Sequence, residues 1–369
     1  MTRRLALLAA ALLVVLPVGV ADAKAKPDRN MTRAADSYRA MQKELYVPAR
    51  KLYRGSPYSY VWPFSQAMSA TIALAGMPKQ AHHYAGHVRD RLLGLQSYFD
   101  PSSAPPGYDS KVVPPLGNGG AKLYDDNEWI GLEMLRRYRM THDSFLLRRA
   151  RTIFDLAVFG WDKDESHPCP GGVVFSQAPG NVDRNTVTNA PGAELGLRLY
   201  ELTKDSYYFD WAKRMYDWVT TCLGDSSGFY LDHITFSGTI DPTVWTYNQG
   251  TMIGSNVLLF RVTGQKTYLK RARRLALDAM TYFTRSRLAQ EPPPFVAIFF
   301  ERIHLLDAVR HDSAYRAYMQ AWADRAWKTM RDKNSGLFRF DPSRSPRVLT
   351  QAGMTRLYAN LAWPRAAFK

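Results

Sequence analysis

Long apolar runs are missing from this chain of 369 residues, with one exception: Leu5 to Leu16, which is too short to span a bilayer comfortably. Arg3 and Arg4 precede that run and Ala21-Asp22-Ala23 closes it with a small-x-small pattern, so residues 1–23 read as a secretory signal peptide and the protein as exported. No cysteine stands near the cleavage point to accept a lipid. Cysteine is scarce throughout. Cys169 and Cys222 are the only two, and in an oxidising compartment a lone pair is expected to be bridged, with two independent buried thiols as the alternative. Metal patterns are lacking: there is no H-E-x-x-H string, and His83 and His87, four residues apart, have no third ligand in evidence. Gly117-Asn118-Gly119-Gly120 lacks the Lys-Ser/Thr of a phosphate loop, and Gly224-Asp225-Ser226-Ser227-Gly228 fits G-x-S-x-G but follows a helical stretch where a nucleophile elbow needs a strand. No metal and no cofactor are expected.

Acidic residues are also in deficit, 33 against 49 Lys and Arg, which gives a formal charge of +16 and a surface suited to polyanions. The basic residues are scattered, as in Lys270-Arg271-Ala272-Arg273-Arg274, with no zinc-finger or RNP pattern, so nucleic acid is not an expected partner. Electrostatic association with an anionic cell envelope is the expected use of the charge, and a merely solvated surface the alternative. No Ser/Gly/Pro linker divides the chain. Residues 24–45, polar and charged, are expected to be a loose arm and residues 46–369 one catalytic domain.

Period-two alternation is scarce, whereas helical spacing is plentiful: Leu195, Leu199 and Leu202 recur at four and three, and Ile153, Leu156 and Phe159 at three. The chain repeats weakly. Thr141-His142-Asp143-Ser144, Thr203-Lys204-Asp205-Ser206 and Thr263-Gly264-Gln265-Lys266 each precede an amphipathic run, with the threonines 62 and 60 residues apart. Further units follow Ala75-Gly76-Met77 and surround His311-Asp312-Ser313. A period near sixty fits a helix pair with its loops, so an all-α toroid of repeated pairs is predicted.

Tyr124-Asp125-Asp126-Asn127-Glu128-Trp129 stands where a Gly/Pro-rich stretch gives way to a helical pattern. Two neighbouring carboxyl groups are what glycoside cleavage requires, one to protonate the leaving oxygen and one to attack or stabilise the anomeric centre. The local alternative is a capping box of Asp125 with Glu128, which involves no chemistry. Aromatic residues (Trp62, Trp129, Trp161, Phe175, Trp245, Tyr247) fall near predicted loop ends beside Asn and Gln, a mixture suited to sugar rings and their hydroxyls.

The string resembles the Asp-Asp motif of glycoside hydrolase family 76, the endo-α-1,6-mannanases. Thr188-Asn189-Ala190-Pro191 is similar to the family's Asn-Ala-Pro segment, Trp245-Thr246-Tyr247-Asn248-Gln249-Gly250 to its Tyr-Asn-Gln-Gly segment, Phe295-Val296-Ala297-Ile298-Phe299-Phe300 to a late helix and Gln351-Ala352 to the start of the last one. The resemblance implies an (α/α)6 barrel and a retaining, endo-acting enzyme on α-1,6-mannan or a related α-glycan. It implies Asp125 as nucleophile and Asp126 as general acid/base, with Tyr124, Asn127, Trp129, Phe175, Asn189, Trp245, Tyr247, Asn248 and Gln249 around the substrate. Asp126 is then expected to be the more desolvated aspartate or the closer to another negative charge. Departures bear on specificity: Ile130 follows Trp129 where tandem tryptophans are frequent, Val173-Val174-Phe175 follows Gly171-Gly172, and Val296 replaces a frequent lysine. A cell-wall transglycosidase using the same pair, or a non-catalytic envelope glycan-binding protein, are the alternatives.

Overall fold

The computed structural model describes residues 28–341, 343 and 345–368; the expected signal peptide lies outside them. Among the described residues the helices are α1 (Arg29–Leu45), α2 (Val61–Ala75), α3 (Ala81–Leu95), α4 (Tyr124–Thr141), α5 (Ser144–Phe159), α6 (Thr186–Thr203), α7 (Ser206–Cys222), α8 (Thr246–Thr263), α9 (Lys266–Tyr282), the single turn α10 (Arg285–Leu288), α11 (Pro293–Val309), α12 (Ser313–Thr329) and α13 (Val348–Ala362). None is long and apolar enough to cross a membrane. Strands are two or three residues long and pair antiparallel within the loops, the largest set being Asp183–Asn185, His233–Thr235 and Ile240–Asp241.

Six helices, α2, α4, α6, α8, α11 and α13, are buried on nearly every side over most of their length. A helix with no solvated face must lie inside the molecule. Each packs on the next and α13 returns to α2, which closes a ring. The outer helices bury one stripe only; in α7 it is Tyr208, Ala212, Met215, Tyr216 and Val219, at helical spacing. With six inner and six outer helices the architecture is the expected (α/α)6 barrel.

The loose arm is corrected. Most of it is α1, the sixth outer helix, which lies along α13. Asp28 caps it by accepting the backbone N–H groups of Asn30 and Met31, and Asn30, Ala34, Ser37, Tyr38 and Met41 form a buried stripe. Only two of those five are large and apolar, so composition concealed a packing face that spacing would have shown.

The sixty-residue repeat is the turn from an inner to an outer helix. Thr141, Thr203 and Thr263 end α4, α6 and α8, each hydroxyl donating to the carbonyl four residues back. His142, Lys204 and Gly264 follow with φ of 55°, 62° and 71°, the left-handed residue that terminates a helix. Asp143 and Asp205 then cap α5 and α7. These turns are short, whereas the segments that enter the inner helices at the other end are long (99–123, 160–185, 223–245, 330–347), so one end of the barrel carries the material for a site. The Gly224–Gly228 string is one such turn, with Asp225 accepting from the N–H groups of Ser227 and Phe229.

Across the barrel axis, charged side chains replace an apolar core. Arg302 forms a bidentate pair with Glu194 (2.8 and 3.1 Å) and reaches Glu301 at 2.9 Å. Arg356 donates to Gln66, Glu133 and Glu301, each at 2.9–3.0 Å. Five inner helices thus meet in one network. The sixth, α8, contributes Gly254, where a Cβ would stand 2.0 Å from Glu194 Oε1.

Candidate active site

The long-loop end is held open by one device used four times. The fourth residue of α4, α6, α8 and α13 is an amide: Asn127, Asn189, Gln249 and Gln351. Each accepts from the N–H and donates to the C=O of a single loop residue, as a strand neighbour would. Asn127 does this to Tyr108 (2.8 and 3.0 Å), Asn189 to Val173 (2.8 and 3.2 Å), Gln249 to Tyr230 (3.0 and 2.8 Å) and Gln351 to Phe338 (2.8 and 2.9 Å). This revises three expected sugar contacts. Asn127, Asn189 and Gln249 are at most 1% exposed, and their polar atoms are spent on backbone. Tyr124 also turns to packing, its ring against Gly160 at the end of α5, where a Cβ would lie 2.4 Å away.

Asp125 and Asp126 are the second and third residues of α4, whose N-cap, Leu123, offers no side-chain bond. The capping-box reading therefore falls: neither aspartate sits at the cap, and Glu128 is fully buried. Burial pushes the Asp125 carboxyl up to about 7, while Trp129 and the backbone amides of Asp125 and Asp126 pull it back. Burial raises Asp126 further, with the neighbouring Asp125 charge added and nothing opposing it. Asp125 Oδ1 has no hydrogen-bond partner. Trp129 is 3% exposed, and the cation of Arg302 lies 5.7 Å from its ring.

Around the pair stands an aromatic rim whose hub, Phe295 of α11, was not among the expected contacts. Tyr247 stacks on Phe295 at 3.9 Å, and Trp245 and Trp62 meet the same ring at 5.6 and 5.9 Å. Tyr247 is buried and Trp245 half-buried beside this ring; the Tyr247 hydroxyl is held well above its usual range by burial and by Asp232, Asp125 and Glu291. Phe175 is half-buried at the loop that accepts the Tyr124 N–H. Asn248 differs from the four clamps: its Nδ2 approaches Asp232 at 3.3 Å and its buried Oδ1 is unpartnered.

Four further acids, Glu291, Glu128, Asp232 and Asp241, were not among the expected site residues. Glu291 accepts from the Thr246 N–H (3.1 Å) and hydroxyl (2.6 Å), capping α8 from a distant loop. Glu128 is buried with both oxygens unpartnered beside Gly192 and is raised well above the usual range by burial and by Asp125. Asp232, His233 and Asp241 bring ligand atoms within 4.8 Å of one another at the mouth, although His233 Nδ1 already meets Asp232 at 3.0 Å. Only the last trio carries a sequence signal, as closely spaced polar residues in a loop. His83 and His87 lie exposed on α3 and join no such group.

The wall of the mouth is fastened covalently. Cys169 and Cys222 form a disulfide with Cα atoms 6.0 Å apart. Arg184 donates to the carbonyls of Pro168, Cys169 and Gly171 in the same loop. Gly171 and Gly172 have φ of +91° and +84° and press on Trp161 and Trp218, so no side chain fits at either.

Two buried neighbouring carboxyl groups under an aromatic rim, at the open end of an (α/α)6 barrel, place the chain in the class of glycosyl hydrolase scaffolds. It belongs to glycosyl hydrolase family 76, whose family model matches residues 24–362. Among its relatives is the mannan endo-1,6-alpha-mannosidase DCW1 of Candida glabrata, 29% identical over 195 residues, 49% of this chain and 43% of that protein. The chain thus spans less than half the length of that curated relative. Among solved structures, the family 76 mannosidase Bt3792 of Bacteroides thetaiotaomicron matches with a TM-score of 0.81 and 21% identity, over 91% of this chain and 98% of that one. An inactive variant of the α-1,6-mannanase of Salegentibacter sp. HEL1_6, with two consecutive aspartates changed to asparagine, in complex with α-1,6-mannotriose, matches with a TM-score of 0.74 and 20% identity over 90% and 99%.

Proposed function

We propose that the protein is an exported, retaining, endo-acting glycoside hydrolase that cleaves α-1,6-mannan or a closely related α-glycan. The observation that carries this is the buried pair at the start of α4, two carboxyl groups whose environments differ. Trp129 and the backbone amides at the helix N-terminus lower the Asp125 carboxyl against its burial and so favour its charge, as a nucleophile needs. Asp126 receives no such help and faces the Asp125 charge, so it retains its proton, as an acid for the leaving oxygen needs. After the glycosyl-enzyme forms, Asp126 takes a proton from water and the acylal carbon is attacked, restoring configuration. The aromatic rim of Tyr247, Trp245, Trp62 and Phe175 offers faces for the sugar rings. A non-catalytic glycan-binding module would gain nothing from unpartnered buried carboxyl oxygens, which cost stability.

The disulfide accords with export. The exposed basic face of α9, Lys266, Lys270, Arg271, Arg273 and Arg274, accords with electrostatic association at an anionic envelope. Purified protein incubated with linear α-1,6-mannan should release reducing ends of more than one sugar. Asp125→Asn should abolish turnover on every substrate. Asp126→Ala should cripple mannan but spare the first step on activated aryl mannosides, with azide rescuing the second to give a β-mannosyl azide. Near wild-type turnover by Asp125→Asn would sink the mechanism, and sugar transfer at high acceptor concentration without net hydrolysis would identify the transglycosidase instead.

A further inference from the structure

A second cavity, of about 470 Å³, opens at the short-turn end of the barrel, opposite the aspartates. Arg136 in its wall is eleven residues beyond Asp125 on α4, about 16 Å along the helix at 1.5 Å per residue. The axial ion network lies between the two, so this cavity is separate from the sugar-facing mouth. Its wall carries the guanidinium groups of Arg136, Arg137, Arg139, Arg198 and Arg302. Among the described residues that line it, the carboxylates are Glu133 and Glu301.

These cations are not equally neutralised. Arg136 pairs with Glu301 at 3.1 Å, Arg139 with Glu201 at 2.7 Å and Arg302 with Glu194 at 2.8 Å. Arg198, half-buried on α6, makes no hydrogen bond or ion pair to the described residues; Arg139 and Arg302 repel its charge while Glu194 and Glu201, beyond ion-pair distance, attract it. Arg137 reaches no carboxylate of the described residues within ion-pair distance, although Asp143 attracts it from farther off; it meets Met140 Sδ at 4.0 Å. Half-buried and within the field of Arg198, Arg261 keeps Nη1 unpartnered although its Nε binds Glu201. The C-termini of all six inner helices face this end and offset part of the positive charge, each with about half an elementary charge. Leaving guanidinium groups half-desolvated without a direct ion pair is costly, and planar donors in a concave site suit a tetrahedral oxyanion. Trp363, Leu132, Leu305 and Phe368 form an apolar flank beside them.

We propose that this cavity is a binding site for a phosphate group, free or esterified to a small sugar, held by Arg198 and Arg137. Its size accommodates a hexose phosphate as well as the bare ion. Titration calorimetry of the full chain with inorganic phosphate, at ionic strength balanced by sodium chloride, should give saturable binding with one site. Glucose 6-phosphate and glucose form the second arm: tighter binding of the ester assigns a sugar phosphate, equal affinity assigns the free ion, and glucose alone should give no heat. Arg137→Gln/Arg198→Gln should weaken phosphate at least tenfold while mannan turnover stays unchanged, since neither residue reaches the mouth. On wild-type protein, phosphate should slow phenylglyoxal modification of Arg137 and Arg198 but not of exposed Arg273, a readout that needs no variant. Absence of saturable binding, chloride acting equally well, undiminished binding by the double variant, or no protection of Arg198 would each overturn the assignment.

Discussion

Asp125 and Asp126 stand where a helix N-terminus favours a carboxylate, yet burial overrides that preference. Holding a carboxyl at about 7 instead of 3.8 opposes its ionised form by on the order of 4 kcal/mol. The end of a helix returns at most about 2 kcal/mol. Because the folded value is raised, the stability this group contributes is intact below its ordinary value and is lost as pH rises through about 7. Asp125→Asn should therefore leave the melting temperature nearly unchanged at pH 4 and raise it at pH 8, with an unfolding free energy larger by roughly 1–3 kcal/mol. Activity should run the other way. The acidic limb of kcat/KM belongs to the pair and should fall near neutrality instead of near pH 4. A variant equally destabilised at both pH values, or an acidic limb at pH 4, would show that the pair is solvated and ordinary.

At the scale of helices and loops, the sequence was legible where spacing carried the information. The sixty-residue repeat marked the inner-to-outer turns, and the aspartates were placed at the start of a long helix. What it hid was the use of a side chain when two uses share one residue type. Asn127, Asn189 and Gln249 are amides near sugar-facing aromatics, and nothing in their identity distinguishes a hydroxyl partner from a backbone one. Their position does: each is the fourth residue of an inner helix, as is Gln351. Phe295 escaped because its neighbours at the mouth come from α2 and α8, distant in sequence. Asn189→Ala would strand the buried N–H and C=O of Val173 and should cost about 2–4 kcal/mol in urea unfolding, as its bonds at 2.8 and 3.2 Å are lost without replacement. Asn248→Ala, which removes a spare acceptor at the mouth, should change stability by less than about 1 kcal/mol and act on KM. A reversal of the two phenotypes would restore Asn189 to the substrate. The disulfide acts on the same loop; closing a separation of 53 residues restricts the unfolded chain by about 4 kcal/mol in the chain-entropy picture.

A ring of six helices encloses an axis that must be filled, and here the filling is a charged network instead of a hydrophobic plug. Its energetics are asymmetric: an ion network replaced whole by apolar side chains can be neutral, but removing one partner leaves buried charge. Arg356 is the member whose loss exposes this most. Its guanidinium is 2% exposed and serves Glu133, Glu301 and Gln66, joining α2, α4, α11 and α13. Arg356, Arg136 and Arg302 together hold the Glu301 carboxyl well below its usual range despite burial. A lowered folded value means that this stability is present above the ordinary carboxylate range and is lost as pH falls through the folded value. Arg356→Met should then cost about 3–5 kcal/mol at pH 7 and should lose less at pH 4, where Glu301, no longer held by Arg356, takes up a proton more readily. Adding Glu133→Gln should recover part of the loss at pH 7, because one stranded charge is removed with its former partner. Chemical denaturation of the single and double variants at both pH values measures all three quantities. If Arg356→Met costs the same at pH 4 as at pH 7, the axis is held by packing and the charges are incidental to it.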